Sequence, residues 1–259
     1  MTRAAAAAVV TGGASGIGAA CCRELARRGW TVVVADIDEA AGARVAAEVG
    51  GIACPVDVGD HASVEDLARR AEDQAGPVAA LVNSAGVIQV PLPPEELGLQ
   101  AWDDVVRIDQ RGTYLVSVAF GRRMARRARG AIVNIASIAG MRSMPLHAYA
   151  PAKAAVIAMT ECLAAEWGRS GVRVNAVSPG YTRTPALQAA IDRGQRDVTS
   201  LEENSALGRL VEPDEVARAV AFLVSEDAGA ITGVNLPVDA GWLVATSWHT
   251  YNGLRPARG

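Results

Sequence analysis

The sequence predicts an α/β fold: a single doubly wound domain whose mostly seven-stranded parallel sheet carries helices on both faces. Short apolar runs alternate with longer segments of helical character, and this alternation favours parallel strands joined by helical crossovers. One run, TVVVAD, is apolar and β-branched at its centre, as is typical of a strand buried on both faces. No linker, repeat or low-complexity stretch interrupts the 259 residues, so one domain is expected over residues 1–259.

The predicted elements alternate along most of the chain. The alanine-rich start leads directly into a glycine-rich turn, and we therefore interpret it as the first strand rather than as a cleaved leader. Later glycines mark the ends of a strand near Gly86 and of a helix near Gly171. Strands are expected at residues 4–10, 31–36, 52–57, 79–86, 130–137, 172–180 and 233–241. Helices are expected at residues 16–28, 39–49, 60–75, 102–128, 149–171 and 213–225.

Two segments fall outside this alternation. Residues 181–209 are polar, mixed in charge and weakly periodic, and they follow the sixth strand, near the strand ends where ligands bind. We expect an irregular insert that acts as a substrate lid; an inert surface loop is the alternative. The tail, residues 242–259, holds three of the eleven aromatic residues. Because aromatic residues are enriched in interface cores, the tail is expected at a subunit contact, with packing on its own subunit as the alternative.

Composition and charge exclude several classes of function. The net charge of −3 gives no electrostatic case for binding nucleic acid or an anionic membrane, and no apolar run approaches the roughly 20 residues of a membrane span. The arginine-rich run at 122–130 is interpreted as the solvated end of a helix. The four cysteines lack metal-ligand spacing, so buried free thiols, no metal site and a reducing, cytoplasmic setting are expected.

The stretch TGGASGIG, residues 11–18, has the character of a phosphate-binding turn. It follows a strand and opens a helix, whose N-terminal N–H groups and dipole favour an anion. Gly12 permits a tight turn, Gly16 lets a pyrophosphate approach the backbone, and Gly18 allows close helix packing. Asp36 ends the second strand, where a carboxylate can accept both hydroxyls of an adenosine ribose. This pattern predicts NAD as cofactor, although Asp36 could instead cap the next helix.

The chain has 25 cationic side chains of the Lys and Arg types, and only Lys153 is a lysine. Tyr149 precedes it by one helical turn, so the two side chains share a helix face. A lysine ammonium is compact and tunable where a guanidinium is not. Lys153 is therefore either a partner for the Tyr149 phenol or a chance surface cation, and the spacing alone leaves both open.

Together these motifs resemble the short-chain dehydrogenase/reductase family, of the small single-domain, Rossmann-type kind, over nearly the whole chain. The glycine spacing T-G-x-x-x-G-x-G and the Y-x-x-x-K pair are among the matching motifs, which together are highly specific for fold and cofactor type. The matching positions are Thr11, Gly12, Gly16 and Gly18 in the cofactor turn, Asp57 and Val58 at the adenine, residues 83–86 in an N-x-A-G-like stretch, Ser137, Tyr149 and Lys153 in the catalytic set, Pro179, Gly180 and Thr184 beside the nicotinamide, and residues 238–241 in a V-D-G-G-like ending.

The resemblance implies roles for these residues. Tyr149 would be the general acid/base, Lys153 would favour its phenolate and bind the nicotinamide ribose, and Ser137 would polarise the substrate carbonyl. Asn83 is either a cofactor contact or a structural turn residue, and His147 is expected to line the cleft or face solvent. The expected cofactor contacts are Gly12, Ser15, Gly16, Ile17, Gly18, Asp36, Ile37, Asp57, Val58, Asn83, Ala85, Gly86, Tyr149, Lys153, Pro179, Gly180, Thr182 and Thr184.

One position departs from the family pattern. Asp109, in the stretch IDQRG, stands where the family often has an asparagine that holds a water of a proton relay. We expect Asp109 to be a fourth catalytic residue, beside Ser137, Tyr149 and Lys153, and we expect its carboxylate to tune the proton relay differently. The sequence thus predicts an NAD(H)-dependent, homotetrameric oxidoreductase that interconverts a secondary alcohol and a ketone, with a polyol or sugar, or a 3-hydroxyacyl thioester, as candidate substrate. The alternatives are a 3-oxoacyl thioester reductase and a non-catalytic NAD-binding scaffold or redox sensor.

Overall fold

The computed structural model describes residues 6–255, and within them it confirms the predicted fold class. A seven-stranded sheet has the order β3-β2-β1-β4-β5-β6-β7, and all neighbouring strands are parallel. The strands of this sheet are β1 (Ala7–Thr11), β2 (Thr31–Asp36), β3 (Ile52–Pro55), β4 (Val78–Asn83), β5 (Gly130–Ile135), β6 (Val172–Pro179) and β7 (Asn235–Val238).

Helices cover both faces of the sheet, and each face buries its own apolar cluster. Leu25 belongs to the cluster on one face of the sheet, whereas Leu67 and Phe120 belong to the cluster on the other face. Neighbouring residues of β1 serve opposite faces, which explains why the strand is apolar throughout: Val10 lies in the first cluster and Val9 in the second. The α-helices in the described part of the chain are α1 (Gly16–Arg27), α2 (Glu39–Val49), α3 (His61–Ala75), α4 (Leu99–Val105), α5 (Thr113–Arg126), α6 (Tyr149–Trp167), α7 (Pro185–Asp192), α8 (Val198–Glu203), α9 (Pro213–Val224) and α10 (Trp242–Ala245).

The strand order reverses at β1, which lies between β2 and β4. The connection after β1 runs to one side of the sheet, and the connection after β4 runs to the other. The chain therefore diverges above the carboxyl ends of these two strands and leaves a crevice there. The loops after β1, β4, β5 and β6 all open toward this edge.

The prediction of one continuous helix over 102–128 is wrong in detail. The helical segment begins at Leu99 and contains a π-helical stretch, Val106–Gly112, between α4 and α5. At this stretch the Thr113 hydroxyl donates to the Asp109 carbonyl oxygen at 2.7 Å, so a side chain supports the widened turn. Such π-helical segments are rare and occur mostly at functional sites.

The prediction of an irregular insert at 181–209 is also wrong, because the segment contains α7 and α8. Each helix begins with a capping residue: the Thr184 hydroxyl accepts from the Leu187 N–H, and the Asp197 carboxylate accepts from the Thr199 N–H. Pro185 then occupies the first turn of α7, where a missing N–H is tolerated. The weak periodicity of the segment reflects the shortness of both helices.

Smaller corrections concern the ends of the chain and the cysteines. Residues 4 and 5 of the predicted first strand, and residues 256–259 of the tail, lie outside the described residues, and β1 begins at Ala7. Cys21, Cys22 and Cys54 are buried free thiols as expected, but Cys162 is exposed. Burial raises the pKa of the Cys22 thiol to about 12, which keeps it protonated.

The arginine-rich end of α5 faces acidic residues of α3. Arg127 Nη1 lies 2.8 Å from Glu72 Oε1, Arg123 Nε lies 3.5 Å from Glu72 Oε2, and Arg122 pairs with Glu65. Much of the positive charge in this run is thus neutralised within the subunit. Within residues 6–255, no helix combines the length and the apolar content needed to cross a membrane.

Candidate active site

A cleft of about 800 Å³ lies over the crevice at the carboxyl edge of the sheet. Ser137, Tyr149, Lys153 and Asp109 all line it, although they come from three separate segments of the chain. Every predicted cofactor-contact residue except Asn83 lines it as well. His147 is not among the lining residues.

The turn after β1 brings the backbone close to the loop after β4. The Thr11 hydroxyl accepts from the N–H groups of Ser84 and Ala85, at 3.2 and 3.4 Å. Gly12 adopts φ of +64°, and a Cβ there would lie 2.7 Å from Ala85 Cα. A Cβ on Gly18 would collide with the Gly12 carbonyl oxygen, so only glycine lets α1 begin this close to the turn. The resulting cradle at the start of α1 fits a pyrophosphate.

Asp36 lies at the carboxyl end of β2, at one end of the cleft. Its Oδ2 accepts from the Ala14 N–H at 2.9 Å, and its Oδ1 accepts from the Asp38 N–H at 3.0 Å. These two bonds fix the carboxylate in the wall of the cleft. The cap of α2 is Asp38 rather than Asp36, since the Asp38 side chain accepts from Ala41. Asp36 is therefore free of the capping role that was the alternative.

Asp57 lines the same end of the cleft and is paired with a cation. Arg107 Nη1 lies 3.2 Å from the Asp57 carboxylate, and the Gly59 N–H donates to Asp57 Oδ1 at 2.8 Å. Arg107 belongs to the π-helical stretch, so this stretch contacts Asp57 as well as supplying Asp109 to the cleft. The pairing leaves the charge of Arg107 balanced within the protein.

Lys153 is buried, with only 4% of its surface exposed. Its ammonium donates to the Ile135 carbonyl oxygen at 3.0 Å and lies 3.2 Å from Asp109 Oδ2. The ammonium nitrogen is 5.4 Å from the centroid of the Tyr149 ring. Burial lowers the pKa of Lys153, but the negative charges of Asp109 and of an ionised Tyr149 outweigh burial and hold that pKa above its ordinary value. Lys153 is thus held as a cation beside the phenol.

Asp109 is fully buried and reaches the centre of the cleft from the π-helical stretch. Its Oδ1 accepts from the Val87 N–H at 2.8 Å, while its Oδ2 faces Lys153. A Cβ on Gly86 would lie 3.0 Å from Asp109 Oδ2, so glycine at this position leaves room for the ion pair. Asp109 therefore contacts the Lys153 ammonium directly.

Ser137 and Tyr149 line the cleft from two different elements. Ser137 follows β5, and its hydroxyl accepts from the Ala139 N–H at 3.1 Å. Tyr149 is the first residue of α6, and Lys153 follows one turn later on the same face. A hydroxyl, a phenol and a buried ammonium therefore line one region, an arrangement that can bind an alcohol oxygen and move its proton.

Asn83 is the one predicted contact that the structure places elsewhere. It is 2% exposed, and its amide donates to Ser117 Oγ at 2.9 Å and to Asn134 Oδ1 at 2.8 Å. Asn134 in turn donates to Thr160 Oγ1 at 2.9 Å. The side chain of Asn83 thus joins β4 to β5 and α5 beneath the cleft, which corresponds to the structural alternative.

Gln89 lines the cleft and was not predicted from the sequence. It is 7% exposed, and its Oε1 accepts from the N–H groups of Ala148 and Tyr149 at 2.6 and 3.0 Å. The side chain thereby holds the start of α6, where Tyr149 stands. No local motif signals this contact, because 59 residues separate Gln89 from Ala148.

The segment 181–209 faces the cleft with one side. Arg193 and Arg196 line the cleft, whereas the Glu202 carboxylate lies 3.4 Å from Arg183 instead. Tyr181, at the base of this segment, packs its ring edge-on against Trp242 of the tail at 5.6 Å between centroids. The segment and the tail therefore contact each other through Tyr181, which lines the cleft.

Comparison with known proteins agrees with this geometry. Residues 12–243 match a family described as enoyl-(acyl carrier protein) reductase. The chain is 40% identical to D-threitol dehydrogenase from Mycolicibacterium smegmatis, with 92% of each chain covered. It is 42% identical to cis-4-hydroxycyclohexanecarboxylate dehydrogenase from Sinomonas cyclohexanicum (91% of this chain, 95% of the relative) and 39% identical to galactitol 2-dehydrogenase from Rhizobium johnstonii (93% and 95%).

Two solved structures have the same fold, but their descriptions name different activities. A structure described as ribose-5-phosphate isomerase from Brucella melitensis 16M is 56% identical over 98% of both chains, with a TM-score of 0.96. Actinorhodin polyketide ketoreductase with NADPH is 30% identical, with 93% of this chain and 99% of that chain covered and a TM-score of 0.88.

Proposed function

Because the chain belongs to the short-chain dehydrogenase/reductase family, we propose that it is an NAD(H)-dependent oxidoreductase that interconverts a polyol or sugar alcohol and the corresponding ketone. The observation that carries the proposal is the set of Ser137, Tyr149 and Lys153 in one cleft with the glycine turn and Asp36. In this proposal the end of the cleft lined by Asp36 and Asp57 would hold the adenosine, and we call it the adenosine end. The region lined by Ser137, Tyr149 and Lys153 would transfer the proton. A dinucleotide-dependent alcohol oxidation requires both.

Each polar residue has a defined task in this proposal. The nicotinamide, when bound, supplies the hydride acceptor for the substrate carbon. The Lys153 ammonium stabilises the phenolate of Tyr149, and this phenolate takes the hydroxyl proton as general base and becomes the neutral phenol. Ser137 donates its hydroxyl hydrogen to the substrate oxygen. Asp109 holds Lys153 in place and tunes the charge that Tyr149 experiences.

The cofactor would be NAD rather than NADP because of the charge at Asp36. A 2′-phosphate beside a carboxylate sets like charges about 4 Å apart, which costs up to about 4 kcal/mol at an effective dielectric constant near 20. Arg107, the cation that lines this end of the cleft, is already paired with Asp57 at 3.2 Å. The ribose hydroxyls of NAD can instead donate to Asp36.

A polar substrate fits the walls of the cleft. Arg193 and Arg196 line it, and its lining acidic residues are Asp36, Asp57 and Asp109, two at the adenosine end and one paired with Lys153. Segment 181–209 would close over the substrate as a lid.

We also propose a homotetramer, supported by the exposed aromatic residues of the tail. A cytoplasmic location is proposed as well, supported by the free thiols.

A panel of secondary alcohols, with NAD and NADP side by side, tests the proposal. The expected result is NADH formation with polyols and the identification of the matching ketone. Reduction of 3-oxoacyl thioesters with higher kcat/KM than any ketone would favour the reductase alternative. Binding of NAD without turnover of any substrate would favour the scaffold or redox sensor.

The Brucella structure's description makes an isomerase the rival to include. Isomerisation of an aldose phosphate to a ketose phosphate involves no net oxidation and needs no adenosine-sized end of the cleft. The wall formed by Asp36 and Asp57 therefore favours the dehydrogenase. Conversion of ribose 5-phosphate to the ketose without nicotinamide, at the rate of the best alcohol oxidation, would assign the isomerase instead.

A further inference from the structure

Segment 181–209 carries both acidic and basic side chains, and only basic ones line the cleft. Arg193 and Arg196 are among the lining residues. Across the segment, all of which the structure describes, no acidic residue lines the cleft; the acidic residues are Asp192, Asp197, Glu202 and Glu203. The part of the segment that borders the cleft is therefore basic, although its sequence is mixed in charge.

The two arginines contact a neighbouring residue rather than an acidic group. Arg193 Nε donates to Gln195 Oε1 at 3.3 Å, and Arg196 Nη1 donates to the Gln195 carbonyl oxygen at 2.8 Å. Within residues 6–255, neither guanidinium forms an ion pair with a carboxylate. Glu202 is instead 3.4 Å from Arg183. The charges of Arg193 and Arg196 are thus not balanced by the segment itself.

The charge of Arg196 acts at the end of the cleft where β6 ends. Tyr181, which lines the cleft, comes two residues after β6. Burial raises the pKa of the Tyr181 phenol above its ordinary value, and the nearby positive charge of Arg196 offsets part of that rise. β6 lies four strands from β2 in the sheet, which at about 4.8 Å per strand places this end roughly 19 Å from the end that Asp36 lines. Arg196 therefore lies far from the adenosine end.

The carboxylates that line the cleft do not balance these two arginines either. The acidic residues among the described lining residues are Asp36, Asp57 and Asp109. Asp109 is paired with Lys153, and the other two lie at the adenosine end. A guanidinium binds carboxylate and phosphate oxygens through charge-assisted, often bidentate hydrogen bonds. An oxyanion on a bound ligand would therefore balance the positive charge at the β6 end of the cleft.

We propose that Arg193 and Arg196 are specificity-determining residues that bind an oxyanion of the substrate, so that the enzyme selects secondary alcohols that carry a carboxylate or a phosphate over neutral polyols. This inference rests on the proposed alcohol oxidation and narrows its substrate class to acids or phosphate esters of polyols. The two guanidinium groups hold the charged end of the substrate under segment 181–209, and the hydroxyl to be oxidised is left to Ser137 and Tyr149.

Two matched four-carbon pairs test the proposal on the wild-type enzyme with saturating NAD: threonate against threonamide, and threitol 4-phosphate against threitol. We expect kcat/KM to be at least about tenfold higher for the anion in one of the pairs, and that pair identifies the oxyanion as carboxylate or phosphate. Equal kcat/KM within both pairs, or a preference for the neutral member, would overturn the inference while leaving the alcohol dehydrogenase intact. No NADH from any alcohol of a broad panel, anionic alcohols included, would instead defeat the proposed function.

Variants of the segment separate substrate recognition from cofactor binding. The double variant Arg193→Gln/Arg196→Gln should lose the preference for the anion and keep its KM for NAD. Arg183→Gln is the control, since it removes a positive charge from the same segment outside the cleft lining and should keep the preference. A double variant that keeps the preference but has a raised KM for NAD would assign the two arginines to the cofactor and overturn the inference.

Anions that cannot be oxidised measure the same site without turnover. In calorimetric titrations of the NAD-loaded protein, malonate or inorganic phosphate should bind the double variant at least about tenfold more weakly than the wild type. Arg183→Gln should bind them like the wild type. Equal affinity of the wild type and the double variant, or binding of neither anion to the wild type, would overturn the inference even where no alcohol is oxidised.

Discussion

Lys153 and Asp109 form a buried ion pair, with Nζ 3.2 Å from Oδ2, and the ammonium of that pair also faces the Tyr149 ring. The carboxylate comes from a π-helical stretch and the ammonium from the second turn of α6. The charge that the phenol experiences is therefore set by two residues rather than by the lysine alone. A neutral amide at position 109 would leave the ammonium unopposed.

Replacement of Asp109 by asparagine should move the basic rise of alcohol oxidation to lower pH. Asp109→Asn keeps the shape and removes the negative charge, so the positive charge beside Tyr149 grows and the phenolate is favoured. We expect a shift on the order of one pH unit, with activity retained. The measurement is the pH profile of kcat/KM for one alcohol at saturating NAD.

A matched control variant accompanies the pH profile of Asp109→Asn. Asp57→Asn removes a carboxylate from the adenosine end of the same cleft and should leave the pH of the basic rise unchanged. An unchanged or upward-shifted basic rise of kcat/KM in Asp109→Asn would contradict the account.

The ion pair also contributes to the stability of the fold. Since the folded pKa of Lys153 is raised above its ordinary 10.5, the contribution of Lys153 to stability is fully present below about that pH and is lost only as pH rises through the folded pKa.

Asp36 should determine cofactor choice. The wild-type enzyme is expected to prefer NAD over NADP by at least about a hundredfold in kcat/KM, on the order of 2.7 kcal/mol. Asp36→Asn should reduce this ratio because it removes the charge that repels the 2′-phosphate. Asp38→Asn is the control, since it changes the charge by the same amount at the neighbouring cap and asparagine caps helices well. Equal use of NAD and NADP by the wild-type enzyme would refute the role of Asp36.

Removal of residues 243–259 should abolish the homotetramer. Val244, Trp248 and Tyr251 are 68%, 47% and 82% exposed in the single subunit, an apolar surface that a partner subunit would cover. Sedimentation velocity should show smaller species for this truncation and a tetramer for a control that lacks only 252–259. A tetramer that survives the longer truncation would mean that the tail packs on its own subunit, as the contact between Tyr181 and Trp242 permits.

Asn83→Ala should lower stability and leave cofactor binding unchanged. The variant removes hydrogen bonds to Ser117 and Asn134 and leaves their buried groups without a partner, at about 1–3 kcal/mol. Thermal unfolding should show a melting temperature lower by several degrees. Ser84→Ala, at the neighbouring position in the cleft wall, should melt like the wild type. A rise in KM for NAD without loss of stability would instead support the direct contact expected from the sequence.

The parts of the site that the sequence predicts are those with local spacing. The glycines of the Gly12–Gly18 turn lie within one tight turn, and Tyr149 and Lys153 lie within one helical turn, so both are visible as short spacings. The fold class follows from strand–helix alternation. Gln89 and the interior position of Asn83 depend on contacts between distant segments, which no periodicity records. The sequence does not predict the π-helical stretch, whose buried positions are Asp109 and Gly112 rather than apolar side chains with a readable period.

The most direct test of the central claim compares NADH formation by the wild-type enzyme and by Tyr149→Phe with the best polyol of the panel. Phenylalanine keeps the ring beside Lys153 and removes the hydroxyl that transfers the proton. The account predicts a kcat lower by about 10²–10⁴-fold with NAD binding retained, as monitored by protein fluorescence. Equal rates for the two proteins would contradict it.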